Sequence, residues 1–81
     1  MAGLSFSDEY AEMLVLLRQA RKAAGLTQVD VARSFGWTQG AISKMEAGEI
    51  RIDPIELQRF ATLYGVEVTA LLPGDKPKGG S

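Results

Sequence analysis

The stretch Gln28-Val29-Asp30-Val31-Ala32-Arg33-Ser34-Phe35-Gly36-Trp37-Thr38-Gln39-Gly40-Ala41-Ile42-Ser43-Lys44-Met45-Glu46 reads as two short amphipathic helices with a tight turn between them. Val31, Ala32 and Phe35 share a face of the first helix, and Ala41, Ile42 and Met45 share a face of the second. Helices joined by so short a turn cross closely, which requires a small residue inside the first, and Ala32 meets that need. The turn requires a backbone position that accepts positive φ, and Gly36 is there. Trp37 follows as an aromatic anchor against the core, and Thr38 is placed to cap the second helix. A generic helical hairpin has no need of these residue types at these offsets.

The flanks extend the same all-helical pattern. Upstream, Tyr10, Met13, Leu14, Leu17, Ala20 and Ala24 recur at steps of three and four, which predicts a helix over Asp8–Ala23 with one apolar stripe. Ser7 is placed as its N-cap and Gly25 as its C-terminal cap. Thr27 can cap the next helix through the amide of Val29 or Asp30. Downstream, Asp53-Pro54-Ile55-Glu56 combines a capping carboxylate, a proline suited to the first helical position and a glutamate that can reach back. That helix runs to about Leu63 and buries Leu57, Phe60, Ala61 and Leu63 or Tyr64. A short fifth helix is predicted from about Glu67 to Leu72, stopped by Pro73. The chain thus divides into an N-terminal arm at 1–7, a helical domain at 8–73 and a disordered tail at 74–81.

Composition narrows the chemistry. The 81 residues allow one domain, and an apolar share of 46% suits a packed core. Cysteine and histidine are both absent, so thiolate chemistry and the commonest general base and metal ligand are excluded. No metal, no cofactor and no enzymatic activity are therefore expected. No apolar run approaches the roughly 18 residues needed to span a bilayer, and Met1–Ser7 lacks the features of a signal peptide, so the reading is cytoplasmic with no membrane partner. Nine Lys and Arg against ten Asp and Glu give a net charge of −1, unusual for a protein that binds nucleic acid. The charges are segregated along the first helix, with Asp8, Glu9 and Glu12 at its start and Arg18, Arg21 and Lys22 at its end, an order that also suits the helix dipole.

Leu17-Arg18, Arg21, Ala24-Gly25-Leu26-Thr27-Gln28, Val31-Ala32, Phe35-Gly36, Ile42-Ser43-Lys44-Met45-Glu46 and Gly48 resemble the lambda-repressor-like, or Cro/XRE, helix-turn-helix family, and Leu63, Gly65-Val66 and Leu71-Leu72 match the end of that pattern. The resemblance covers about Leu17 to Leu72. It implies a compact five-helix domain whose third helix enters the major groove of DNA. It also implies that Arg21, late in the first helix, meets Glu46 at the end of the third as a structural ion pair, with the guanidinium near a phosphate.

On the third helix, the face opposite Ile42 and Met45 carries Gln39, Gly40, Ser43 and Lys44, the candidate base-reading positions. A glutamine can pair with adenine, a lysine with guanine or a phosphate, and a serine can serve either role. Gln28 is placed to hold a phosphate through its side chain and the helix N-terminal amides. Thr38 can do the same or act purely as a cap, and Arg33 on the outer face of the second helix reaches the backbone or is simply solvated. The loop after the third helix, Glu49-Ile50-Arg51-Ile52, departs from the basic loop of many relatives and leaves Arg51 as its phosphate candidate, while Gly40 leaves one common base-reading position without a side chain. Both features point to modest non-specific affinity, which dimerisation offsets.

The expected function is a sequence-specific DNA-binding regulator, a dimeric repressor of a nearby promoter acting on double-stranded DNA with a palindromic operator. The alternatives are an antitoxin with a toxin partner or a restriction-modification controller of the same fold, or a protein-interaction module that has lost DNA binding. The resemblance favours the fifth helix as the dimer contact, through Val66, Val68, Leu71 and Leu72, with Ile50, Ile52 and Ile55 able to extend the patch. Val15 and Leu16 on the first helix offer a rival surface.

Overall fold

A computed structural model describes residues 7–74. The arm at residues 1–6 and the tail at residues 75–81 lie outside the described residues. Four α-helices follow one another, α1 (Asp8–Ala23), α2 (Gln28–Phe35), α3 (Gln39–Ala47) and α4 (Pro54–Tyr64), and a 3-10 turn (Val68–Leu71) closes the domain. There is no strand among the described residues.

Each helix begins where a side chain satisfies its first amides. Ser7 accepts the amide of Tyr10 at 3.1 Å at the head of α1. Thr27 and Asp30 form a reciprocal box at α2, the hydroxyl accepting the Asp30 amide at 3.1 Å and the carboxylate accepting the Thr27 amide at 2.9 Å. Those bonds hold the Asp30 carboxyl below the usual carboxylate range, first through the Thr27 backbone and then through its hydroxyl, with a further contribution from Arg33. The cap therefore works above the usual carboxylate range, and its contribution is lost as pH falls through the lowered value. Thr38 accepts the Ala41 amide at 3.1 Å to start α3. Asp53 and Glu56 form a second box on either side of Pro54, with bonds of 2.8 and 3.0 Å.

The turn between α2 and α3 depends on one backbone angle. Gly36 sits at φ 71°, in the left-handed region that glycine adopts without steric cost. The chain then doubles back, and the Trp37 amide donates to the Ala32 carbonyl at 2.9 Å. Ala32 is almost wholly buried at the crossing. Trp37 meets Phe35 with ring centroids 5.0 Å apart, and Phe35 meets Phe60 of α4 edge to face at 5.3 Å. Trp37 thus anchors the turn through an aromatic group shared with α4.

The core is one cluster. Met13, Leu14 and Leu17 of α1, Val31 of α2, Ile42 and Met45 of α3, Leu57 and Phe60 of α4 and Leu71 of the closing turn converge in it. Helix α1 packs against α3, α4 and the 3-10 turn, whereas the backbone of α2 packs closely on α3. The placement of α3 therefore governs the placement of the whole α2–α3 pair.

The expected fifth helix is a 3-10 turn of four residues. The Ala70 and Leu72 amides donate to Glu67 and Thr69, three residues back, at 2.9 and 3.2 Å. Three β-branched residues (Val66, Val68 and Thr69), the lack of a side-chain cap at Glu67 and the stop at Pro73 leave too little chain to repay helix nucleation. Leu71, fully buried, holds the turn to the core instead. The domain is therefore four helices and a turn, not five helices.

Among the described residues, one buried side-chain polar atom has no hydrogen-bond partner. The Tyr64 hydroxyl is buried without a hydrogen bond, while its ring stacks on Phe60 with centroids 6.0 Å apart. Burial, reinforced by the nearby Glu46 carboxylate and opposed by Arg21, pushes the phenol well above its ordinary value and keeps it neutral. Removing an unpaired hydroxyl removes a desolvation cost. Tyr64→Phe is therefore expected to leave stability unchanged or raise it by up to about 1 kcal/mol in urea denaturation. A loss of more than about 1 kcal/mol contradicts an unpartnered hydroxyl.

Candidate nucleic-acid interface

The exposed side of α3 is held from beneath by a single carboxylate. Glu46 is 2% exposed, and Arg21 reaches it from α1. The Arg21 Nε donates to Oε2 at 2.7 Å and Nη2 donates to Oε1 at 3.1 Å, a two-pronged pair. The third guanidinium nitrogen, Nη1, donates to the Leu26 carbonyl in the α1–α2 connection at 3.0 Å. All three Arg21 nitrogens thus have acceptors within the chain, and the residue is buried. Little of it is left to reach a phosphate.

Glu46 gathers two further donors. The Gln28 side-chain amide donates to Oε1 at 3.0 Å, and the Arg18 Nη1 donates to the Glu46 main-chain carbonyl at 2.8 Å. Gln39 extends the network, its amide donating to the Gln28 oxygen at 2.6 Å. A continuous chain of bonds therefore runs from Arg21 through Glu46 and Gln28 to Gln39, linking α1, α3 and α2 to the first residue of α3. Gln28 and Gln39, chosen from sequence as separate DNA contacts, are joined to each other. From sequence, Arg18 stands only in the basic end of α1 with no contact at the site, although its position three residues before Arg21 puts both on one face of α1.

Away from Ile42 and Met45, the surface of α3 is open. Thr38, Gln39, Gly40 and Lys44 are exposed and Ser43 is half-buried. A Cβ added at Gly40 would meet nothing closer than the Thr38 hydroxyl at 3.9 Å, and its backbone is helical. No packing within the domain calls for glycine there. Glycine in a helix costs about 0.5–1 kcal/mol relative to alanine.

The remaining basic candidates are occupied differently. Arg33 is exposed and lies 3.6 Å from Asp30, one turn back on α2. Arg51 lies over the Tyr10 ring, 4.2 Å from its centroid, while the Tyr10 hydroxyl accepts the Ile52 amide at 3.0 Å. The α3–α4 loop is thereby pinned to α1. No signal in the sequence pointed to this pairing. Of the apolar residues read as a dimer patch, Leu71 is fully buried in the core, Val66 and Val68 are half-buried against it, and Leu72 is 40% exposed. Ile50 and Ile55 add exposed apolar surface, Ile55 at 66%, and Val15 on α1 is exposed as well. Among the described residues, no group of acidic side chains could hold a metal, and no helix is long and apolar enough to cross a membrane.

This geometry has known counterparts. A family model described as a helix-turn-helix domain matches residues 12–72. An XRE-family like protein from Pseudomonas syringae pv. tomato is 41% identical, with a TM-score of 0.72 over 78% of this chain and 77% of its own. The DNA-binding domain of BldD is 32% identical, with a TM-score of 0.71 over 84% of this chain and all of its own. The S. venezulae BldD DNA-binding domain, also 32% identical, gives a TM-score of 0.68 over 82% of this chain and all of its own. No curated protein gives a significant match.

Arg21 and Glu46 are buried together, so removing either strands the other's charge away from water. Glu46→Ala is expected to cost about 3–5 kcal/mol, several times a surface pair, and Arg21→Met a similar amount. The double variant Arg21→Met with Glu46→Leu should cost clearly less than the two single losses added together. Urea denaturation of the three variants measures this, and additive losses contradict a coupled buried pair.

Proposed function

We propose that this chain, which belongs to the Cro/XRE-like helix-turn-helix family, is a DNA-binding regulator that reads a specific sequence through α3 in the major groove. The observation that carries this reading is an asymmetry in α3. Ile42, Met45 and Glu46 are buried in the domain, with Glu46 gripped by α1 at two points, while Gln39, Gly40 and Lys44 stay exposed and Ser43 half-buried. A helix held rigidly on one side and left bare on the other is suited to recognition, because a base-reading contact depends on position within a fraction of an ångström.

Roles follow from the chemistry of each position. Gln39, at the first turn, reads a base, and its bond to Gln28 sets the direction of its amide. Gly40, for which the domain has no packing use, lets the α3 backbone approach the duplex closely. Ser43 and Lys44 extend the contact along the groove, with Lys44 offering a mobile cation to a guanine edge or a phosphate. Gln28 and Thr38, at the starts of α2 and α3, hold phosphates where helix N-termini present free amides, with Arg33 and Arg51 as outlying cations. Arg21 acts as the structural partner of Glu46.

The reading extends to a dimer that represses transcription from a palindromic operator. A single short helix contacts few base pairs, and two copies on half-sites about 34 Å apart multiply the specificity. Leu72, Ile50 and Ile55 are among the exposed apolar residues and are offered for a two-fold contact, with half-buried Val66 and Val68. A Leu72→Asp variant that stays folded is expected to sediment as a monomer at concentrations where the parent protein is a dimer. Retention of the dimer would move the contact elsewhere, with exposed Val15 on α1 the first alternative.

Selection of tight-binding duplexes from a random pool, followed by gel-shift titration, tests the function. A single preferred motif recovered by the parent protein supports the reading, and retention of random sequences only refutes it. On the preferred duplex, Gln39→Ala is expected to lose about 1–3 kcal/mol and to relax preference at one base pair. Gln28→Ala should weaken preferred and random duplexes alike, with an added loss at the Gln39 position because its bonding partner is gone. Equal losses on both duplexes for Gln39→Ala contradict its base-reading role.

A further inference from the structure

We propose that Arg18 is a positioning residue for base reading, fixing the backbone of α3 from α1; this rests on the DNA-binding function above. The argument begins at the C-terminal end of α3, where the last carbonyls of a helix lack partners within it. The closure at Gly48 uses two of them. The Glu49 amide donates to the Lys44 carbonyl at 2.8 Å and the Gly48 amide to the Met45 carbonyl at 3.2 Å. The next carbonyl, that of Glu46, is taken by the Arg18 guanidinium at 2.8 Å. The bond is charge-assisted, and the cation lies at the negative end of the helix dipole.

Arg18 and Arg21 therefore hold the same residue in different ways. Arg21 holds the carboxylate, which is joined to the backbone through rotatable side-chain bonds. That contact tolerates a small shift of the helix, because the side chain can turn to follow. Arg18 holds the main chain itself. With the carbonyl fixed as well, α3 can neither slide along its axis nor pivot about the carboxylate without breaking a bond to a charged donor. Glu46 and Gln39 lie at opposite ends of α3, about 10 Å apart along the axis. A pivot at the Glu46 end therefore displaces the reading end directly. Phosphate contacts tolerate such a displacement, whereas paired hydrogen bonds to a base edge do not.

Arg18→Met removes the donors and keeps most of the apolar stem. The Kd values of the parent and variant are compared on the best selected duplex and on a random duplex of equal length, across a series of salt concentrations. Loss of the Arg18 bond is expected to weaken the selected duplex about tenfold and the random duplex far less, so that the specificity ratio falls. The slope of affinity against salt should stay unchanged, because no phosphate contact has been removed. Arg18→Lys, which restores a charged donor, is expected to recover part of the ratio. Equal loss on both duplexes with a slope smaller by about one identifies Arg18 as a phosphate contact and overturns the proposal, as does an unchanged ratio. A loss of stability alone lowers the active fraction on both duplexes equally and leaves the ratio intact. Should Arg18→Met fail to fold, Arg18→Gln, too short to span the same gap, carries the test with the same outcomes. A parent protein that binds no selected duplex refutes the DNA reading itself, whereas normal parent binding with an undiminished ratio in the variant overturns the positioning role alone.

Discussion

A carboxylate taken out of water must find compensating charge and hydrogen bonds, and in this chain that requirement falls on Glu46. Its burial obliges Arg21 to cross from α1, and the carboxylate then demands a further donor for its remaining lone pairs. Gln28 meets that demand, and by doing so aligns the head of α2 with the foot of α3. Gln39 bonds to Gln28 in turn, so the side chain at the tip of α3 is oriented by a network that begins in the interior. The apolar core supplies cohesion without direction, because Leu17, Ile42 and Phe60 can repack at modest cost. The bonds to Glu46 supply direction, since the ion pair with Arg21 joins one chosen residue of α1 to one of α3 and the Arg18 bond fixes the main chain beside it.

This arrangement also bears on the net charge. Cations on a DNA-binding surface normally supply sequence-independent attraction to phosphates. Here two arginines of α1 serve Glu46, Arg51 stacks on Tyr10, and Arg33 lies near Asp30. With a net charge of −1, long-range attraction to DNA is expected to be weak, so the proposed reading of a specific sequence rests on geometry more than on charge. The open face of α3, with its glycine and its oriented glutamine, suits that balance.

Much of the fold was legible because its devices are local. A cap is written within four residues, so Ser7, Thr38 and the Asp53–Glu56 box could be read directly. The α2–α3 turn was legible because Ala32, Gly36 and Trp37 each meet a steric demand of a close crossing. The fifth helix was misread because an apolar periodicity over six residues cannot distinguish a helix from a turn that inserts one leucine into the core. At the interface, the residue types on α3 were legible but their connections were not. The Gln28–Gln39 bond, the Arg18–Glu46 carbonyl contact and the stacking of Arg51 on Tyr10 each join residues far apart in sequence, and only the packed tertiary structure brings them together. The Thr27–Asp30 box was local and could have been found in full, since an acid three residues after a threonine is its signature.

The central claim is that α3, held from within by Glu46, presents its outer face to DNA. Amide chemical-shift mapping during titration of the isotope-labelled protein with a duplex it has selected tests this most directly. The account predicts that the largest shifts fall on Gln28 and on Thr38 through Lys44, with smaller shifts relayed to Glu46, while α4 around Gln58 and Thr62 stays still. Shifts concentrated on α4 or on the exposed side of α1, with α3 unmoved, would contradict it.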